Sequence, residues 1–304
     1  MTLSRRTFLS HAALAVASFD RLPAVIDTHT HFYDIGRPQG VPWPPKSEPV
    51  LYRTHLPPEF QTLTAPHNVV GTVIVEASPW VEDNQWILDL AGENPFIVGF
   101  IGNLEAGKPE FAVNLRRFAR NPIFRGLRLN GRALAGGLGQ RPFEDDLRRM
   151  ADARLTLDVV GNASMLPDVR RVAALAPGLR IVIDHLPFEE WDGRPEAMRE
   201  GLAPFAQLSN VFIKVSNVVR RREGRVIEDP AFYRPGLDVL WQLFGANRLV
   251  FGSNWPVSNR IAPYAALYGI VASYFQSKGA RAAENYLRAN SKAAYSWIDR
   301  GKKR

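Results

Sequence analysis

The chain has no cysteine among its 304 residues. That excludes a disulfide scaffold, a thiolate metal site and a cysteine nucleophile. Any metal must be held by His, Asp or Glu. No apolar run reaches the ~18–20 residues that span a bilayer, so no integral membrane segment is expected. No G-x-G-x-x-G opens a helix after a strand, which argues against a dinucleotide-binding sheet. Net charge is a moderate +8, and no aromatic residues are interleaved with the one dense basic cluster, Arg220-Arg221-Arg222. Nucleic acid is therefore not an expected partner. A small-molecule substrate is, and the basic surface would attract an anionic one. Hydrophobic residues make up 46% and charged residues 22%, the balance of a folded globular protein.

What is present begins with an address. Ser4-Arg5-Arg6-Thr7-Phe8-Leu9 is followed by a weakly apolar stretch, Ala12 to Ala17, ending in the small residues Ala15-Val16-Ala17. This resembles a bacterial twin-arginine signal peptide. The expectation is periplasmic delivery, with residues 1–20 outside the fold and residues 21–304 forming one domain. A homo-oligomer is compatible with that organisation.

From residue 24 onward one unit recurs: a short β-rich run, then a longer segment with helical periodicity. The runs are Ala24 to Ile26, Val69 to Val75, Ile97 to Ile101, Gly126 to Leu129, Thr156 to Val160, Arg180 to Ile183, Val211 to Val215 and Leu249 to Phe251. Helical spacing is clear in Phe143 to Arg154 and Leu166 to Leu175. Near-continuous Val/Ile runs indicate strands buried on both faces, as in parallel sheets. Eight such units predict an α/β fold, a TIM (β/α)8 barrel. An open doubly wound sheet is the alternative. The first connection is long and proline-rich, with Pro38, Pro42, Pro44, Pro45 and Pro49 around Trp43. It reads as a lid or rim over the barrel mouth.

Active sites of such barrels lie at the carboxyl ends of the strands. The first run ends Asp27-Thr28-His29-Thr30-His31. Residues two apart on a strand share a face, so His29 and His31 can chelate one divalent ion. His185 closes the sixth run, and a third inward imidazole leaves a coordination position open. Other strand ends carry Glu76, Arg128, Asp158, and the pair Lys214 and Ser216 on one face. The eighth run leads into Gly252-Ser253-Asn254-Trp255-Pro256.

These segments together resemble the amidohydrolase-related family. They are Asp27 to Phe32, Gly126-Leu127-Arg128-Leu129, Asp184-His185 and Phe251 to Val257, in the family's order from about Val25 to Tyr295. That branch of the amidohydrolase superfamily contains lactonases of sugar-acid and pyrone-dicarboxylate lactones, and metal-dependent decarboxylases. The resemblance implies His29, His31 and His185 as metal ligands. It implies one divalent ion, zinc or manganese, or none, as in some lactonases of the branch. Two departures stand out. Asn254 occupies the place of the family's eighth-strand aspartate, and an amide cannot take up a proton. Arg128 occupies the place of the carboxylated lysine of bimetallic members, so at most one metal is implied. The expected function is hydrolysis of a lactone of anionic or sugar-acid type. Asn254, His185, Glu76 and Asp158 are the expected catalytic residues. Arg128, Lys214, Ser216 and Trp255 are the expected substrate-binding residues. A decarboxylase of the same fold and a non-catalytic periplasmic binding protein are the alternatives.

Overall fold

The computed structural model describes residues 23–185 and 195–300. The Arg5-Arg6 segment and the expected cleavage site lie outside those residues. Each apolar run forms a strand. In chain order they are β1 (Val25–Thr30), β2 (Val69–Val75), β3 (Ile97–Gly102), β4 (Phe124–Asn130), β5 (Thr156–Val160), β6 (Arg180–Ile183) and β7 (Val211–Val215). A two-residue hairpin follows, β8 (Arg221–Arg222) and β9 (Arg225–Val226), and then the last barrel strand, β10 (Leu249–Phe251). The hairpin was not foreseen: the arginine cluster that read as plain basic surface pairs Arg221 with Val226. The barrel strands form one parallel sheet in the order β1 to β7, then β10. This is the eight-stranded α/β barrel expected from the sequence. The helix Leu166–Leu175 has the bounds its periodicity indicates, and Arg141–Asp152 begins two residues earlier because Pro142 takes a first-turn position.

The barrel closes just past the ends of β1 and β10, and the closing bonds run through the future site. Asn254 N donates to His29 O, and His31 N donates to Trp255 O, each at 2.8 Å. Thr28 Oγ1 donates to Phe251 O at 2.6 Å. Gly252 permits this close approach. A Cβ there would meet His29 Cβ at 2.9 Å and Lys214 Cδ at 3.1 Å.

Two cores hold the barrel. The larger lies between the strands and the surrounding helices. The smaller fills the interior with Ile26, Val73, Val75, Val98, Ile101, Val182, Phe212 and Val250, joined by Ala294, Tyr295 and Trp297. The C-terminal residues thus plug the interior from one end, and Ile298 N donates to Val98 O at 3.0 Å. The polar site is left at the other end.

Asp27 is the charged tie in the closing seam. Its Oδ1 accepts from His29 N at 3.1 Å and from Ser253 N at 2.9 Å. Burial pushes its carboxyl up to about 6, against those hydrogen bonds. A raised carboxyl favours the protonated native state. Its stability contribution is present below the unfolded value near ~4 and is lost as pH rises through about 6. The stability of Asp27→Asn relative to the parent should therefore climb between those limits, by up to about 3 kcal/mol, and then level off. Urea denaturation of both proteins from pH 4 to pH 8 checks this. A difference independent of pH would contradict it.

Candidate active site

A cavity of about 1040 Å³ opens at the carboxyl ends of the strands. His31, His185, Asn254, Asn217, Glu76 and Arg128 form its deep end, with Trp43 from the proline-rich connection at one wall. The connection is thus a rim, as its length suggested. The Trp43 ring stands 5.9 Å from that of His31, edge to face. Three deep residues sit in the left-handed backbone region: His185 at φ 63°, Asn217 at φ 53° and Asn254 at φ 60°. Such conformations concentrate at functional sites, and asparagine tolerates them best after glycine.

The histidines cluster. The His29 ring lies 4.9 Å from that of His31 and 4.3 Å from that of His185. All three are held neutral. His29 is well below the ordinary histidine value because of burial, then Lys214. Burial, then Arg128, lowers His31 to about 3. Burial lowers His185 to about 4, with Asp184 opposing and Lys214 assisting.

The hydrogen bonds fix where the lone pairs are. His31 Nδ1 faces the carbonyl of Val75 at 2.9 Å and Nε2 faces Asn254 Oδ1; a neutral ring can donate to only one, and the hydrogen is assigned to Nδ1, whose contact is the shorter and whose acceptor is fixed in the backbone. His31 Nε2 is then a lone pair. It lies 3.1 Å from Asn254 Oδ1. The amide is oriented from behind, because Asn254 Nδ2 donates to Asn217 Oδ1 at 2.8 Å. In that tautomer two acceptors, His31 Nε2 and Asn254 Oδ1, stand side by side at the cavity surface. His185 Nδ1 meets Ser216 Oγ at 2.9 Å. Arg128 is clamped to Glu76, with Nε to Oε1 at 2.9 Å and Nη2 to the Glu76 carbonyl at 2.8 Å. Nη1 takes no part in that clamp.

Several expected roles change with depth. Lys214 does not reach the cavity. It is wholly buried, with Nζ 2.7 Å from Asp158 Oδ2 and 2.9 Å from Asp184 Oδ1. Asp158 is equally buried and also accepts from Tyr295 Oη at 3.2 Å, so it cannot act as a base on substrate. Burial and Asp184 push it up to about 7 against the pull of Lys214. Ser216 orients His185 and lies off the cavity wall. Trp255 is 0% exposed and packs on Phe32, Phe60 and His55 on the outer side of the barrel. It is therefore not a substrate contact. Glu76 does line the cavity, where it holds Arg128. Asn217, Trp43 and Asp184 were not singled out in the sequence. The first two lie in irregular segments without periodic pattern, and Asp184 was visible only as the neighbour of His185.

The tightest donor group among the described residues is His29, Asp184 and His185, whose ligand atoms lie within 4.8 Å of one another. It could hold a metal ion. It differs from the expected set by Asp184 in place of His31. An ammonium already serves two of its members. Lys214 Nζ contacts Asp184 Oδ1 at 2.9 Å and His29 Nδ1 at 3.2 Å. A divalent ion drawing on the same residues would stand against that charge, so the donor set does not fit a metal while Lys214 remains an ammonium.

Comparison with known proteins agrees with this architecture. The sequence model of the amidohydrolase family matches residues 26–297. An L-fucono-1,5-lactonase of Burkholderia ambifaria is 32% identical over 253 residues, covering 80% of this chain and 84% of that protein. An L-fucono-1,5-lactonase of Burkholderia multivorans is 27% identical, covering 83% and 89%. Among solved structures, a zinc-bound amidohydrolase from Burkholderia multivorans aligns with TM-score 0.81 at 24% identity, covering 90% of this chain and all (100%) of that one. That last likeness speaks to the fold.

Proposed function

The chain belongs to the amidohydrolase family, and from that premise we propose that it opens the ring of a neutral, polyhydroxylated lactone by attack of water. The observation that carries the reading is the pair of converging acceptors, His31 Nε2 and Asn254 Oδ1, at the deep end of the cavity. A water molecule placed there gives one hydrogen to each. His31 takes the proton as the new C–O bond forms, and the amide oxygen orients the other hydrogen. Asn254 thus needs no proton affinity of its own. Arg128 Nη1 and the His185 imidazole donate to the carbonyl oxygen as it gains charge. The tetrahedral adduct then expels the ring oxygen, which recovers a proton from His31. A histidine lowered to about 3 is a weak base but, once protonated, a strong acid toward that leaving alkoxide. An activated cyclic ester suits such a base.

The charges favour a neutral substrate over an anionic one. Arg128 is paired with Glu76, Lys108 with Glu105 at 3.5 Å, and Lys214 is buried with two aspartates. Uncharged donors and acceptors supply the walls: Asn103, Asn130, Gln140 and Asn217. These amides suit hydroxyl groups. The two relatives named L-fucono-1,5-lactonase support the same class. The test is acid release measured by pH-stat on L-fucono-1,5-lactone, other neutral sugar lactones, and a pyrone-dicarboxylate lactone. Preference for the neutral compounds by at least about tenfold in kcat/KM is expected, the equivalent of ~1.4 kcal/mol. Preference for the dicarboxylate would overturn the assignment.

The lowered histidines also set the pH profile. Because His31 and His185 stay neutral down to about 3 and about 4, kcat/KM should be level between about pH 5 and pH 8. A limb with a midpoint near ~6.5, the ordinary histidine value, would contradict the neutral state of these two histidines.

Residues 1–20, by the same proposal, are a twin-arginine signal peptide, and a single catalytic domain from residue 21 works in the periplasm. N-terminal sequencing of protein from a periplasmic extract tests this. No helix among the described residues is long and apolar enough to cross a membrane.

A further inference from the structure

Lys214 is the one fully buried lysine among the described residues, and the hydrolytic steps above make no use of it. Its Nζ lies 2.7 Å from Asp158 Oδ2, 2.9 Å from Asp184 Oδ1 and 3.2 Å from His29 Nδ1. The Tyr295 ring stands 5.2 Å away. An ammonium has three hydrogens and no lone pair. Two of them go to Asp158 Oδ2 and His29 Nδ1, and Asp184 Oδ1 is an ion-pair contact beside them.

The contact with His29 dictates the tautomer of that ring. A neutral imidazole carries one hydrogen, and the nitrogen that accepts from an ammonium cannot be the one that carries it. The hydrogen of His29 is therefore on Nε2. That atom is buried and has no partner in the protein. A buried donor left unpaired bears its full desolvation cost. His31 has the opposite tautomer, with its hydrogen on Nδ1 toward Val75. The two histidines of one His-x-His pair thus present one donor and one acceptor. A metal bound by both would require a lone pair from each.

We propose that Lys214 is the resident cation of this site, standing among His29, Asp158 and Asp184 where a metal ion would sit, and fixing His29 in its Nε2–H tautomer, so that the His-x-His pair does not chelate a metal ion. Lys214 is a positioning residue: it acts by setting the tautomer of His29. Neither the tautomer nor the place of the cation rests on the hydrolase reading.

The test uses the full chain, labelled with ¹⁵N-histidine and freed of metal, in long-range ¹H–¹⁵N correlation spectra at pH 7. His29 signals are identified by their loss in His29→Gln. The expected result is a protonated Nε2 on His29 and a protonated Nδ1 on His31, with the His29 signals unmoved by one equivalent of Zn²⁺. In Lys214→Met, the same addition should reach His29, with Zn²⁺ affinity raised at least tenfold. A wild-type His29 protonated on Nδ1, or one whose Nε2 proton is lost to Zn²⁺, would overturn the proposal, and the wild-type spectra decide even if Lys214→Met does not fold. A failed hydrolase reading would show instead as inactivity on lactones with the tautomers intact.

Discussion

Lys214→Met is expected to lose about 3–5 kcal/mol of stability at pH 7, the usual consequence of removing one partner from a buried ion pair. The substitution leaves the side-chain volume nearly unchanged, so packing is not the cause. It strands Asp158 and Asp184, both wholly buried, with Arg128 the other cation of the site among the described residues. Asp158 is raised to about 7 even with the ammonium beside it. Without Lys214 it would fold only by taking up a proton. The loss should therefore shrink as pH falls and Asp158 protonates. Lys214→Met/Asp158→Leu should recover part of it, because it removes a stranded charge with its partner. Urea denaturation at pH 5 and pH 8 measures both effects. A loss below about 1 kcal/mol for the single variant would mean that the ion cluster is not a structural unit.

His31→Ala is expected to lower kcat/KM for the lactone by roughly 10²–10⁴, the range for losing a positioned general base. The fall should lie in kcat rather than KM. His31 Nε2 handles the proton of the attacking water, whereas the ring's hydroxyls meet the amide walls. Asn254 stays oriented by Asn217 in the variant, yet its amide oxygen cannot take up that proton. Steady-state kinetics on the neutral lactone separates the two parameters. A rise in KM with kcat unchanged would make His31 a binding residue only.

How far the sequence revealed this site depends on what periodicity can report. A period of two tells which face a strand residue takes. It placed His29 and His31 together, and Lys214 with Ser216 on the inner side. It does not report depth along the barrel axis. Lys214 and Asp158 are inward but lie below the cavity, in the layer reached by Tyr295 from the chain's C-terminal end. Nothing local distinguishes such a buried lysine from one that binds a carboxylate. Trp255 failed for a different reason. The left-handed turn at Asn254 redirects the next residue, so neighbours in sequence end on opposite sides of the barrel wall. Asn217 sits one residue past Ser216, also in a left-handed turn, where strand alternation stops. The strands themselves were legible because each is buried on both faces and therefore almost uniformly apolar.

The asparagine in place of an aspartate is the main chemical departure, and the hydrogen bonds give it a sense. A carboxylate 3.1 Å from His31 Nε2 would favour the imidazolium and remove the lone pair. The amide leaves it in place. The cation that the histidine cluster needs is then Lys214.

The most direct measurement is acid release from a neutral sugar lactone by chelator-treated protein in a pH-stat. The account predicts saturable ring opening above the spontaneous rate, one acid per lactone, with the same kcat before and after the chelator. Release that appears only when a divalent ion is restored, or no release above the spontaneous rate, would contradict it.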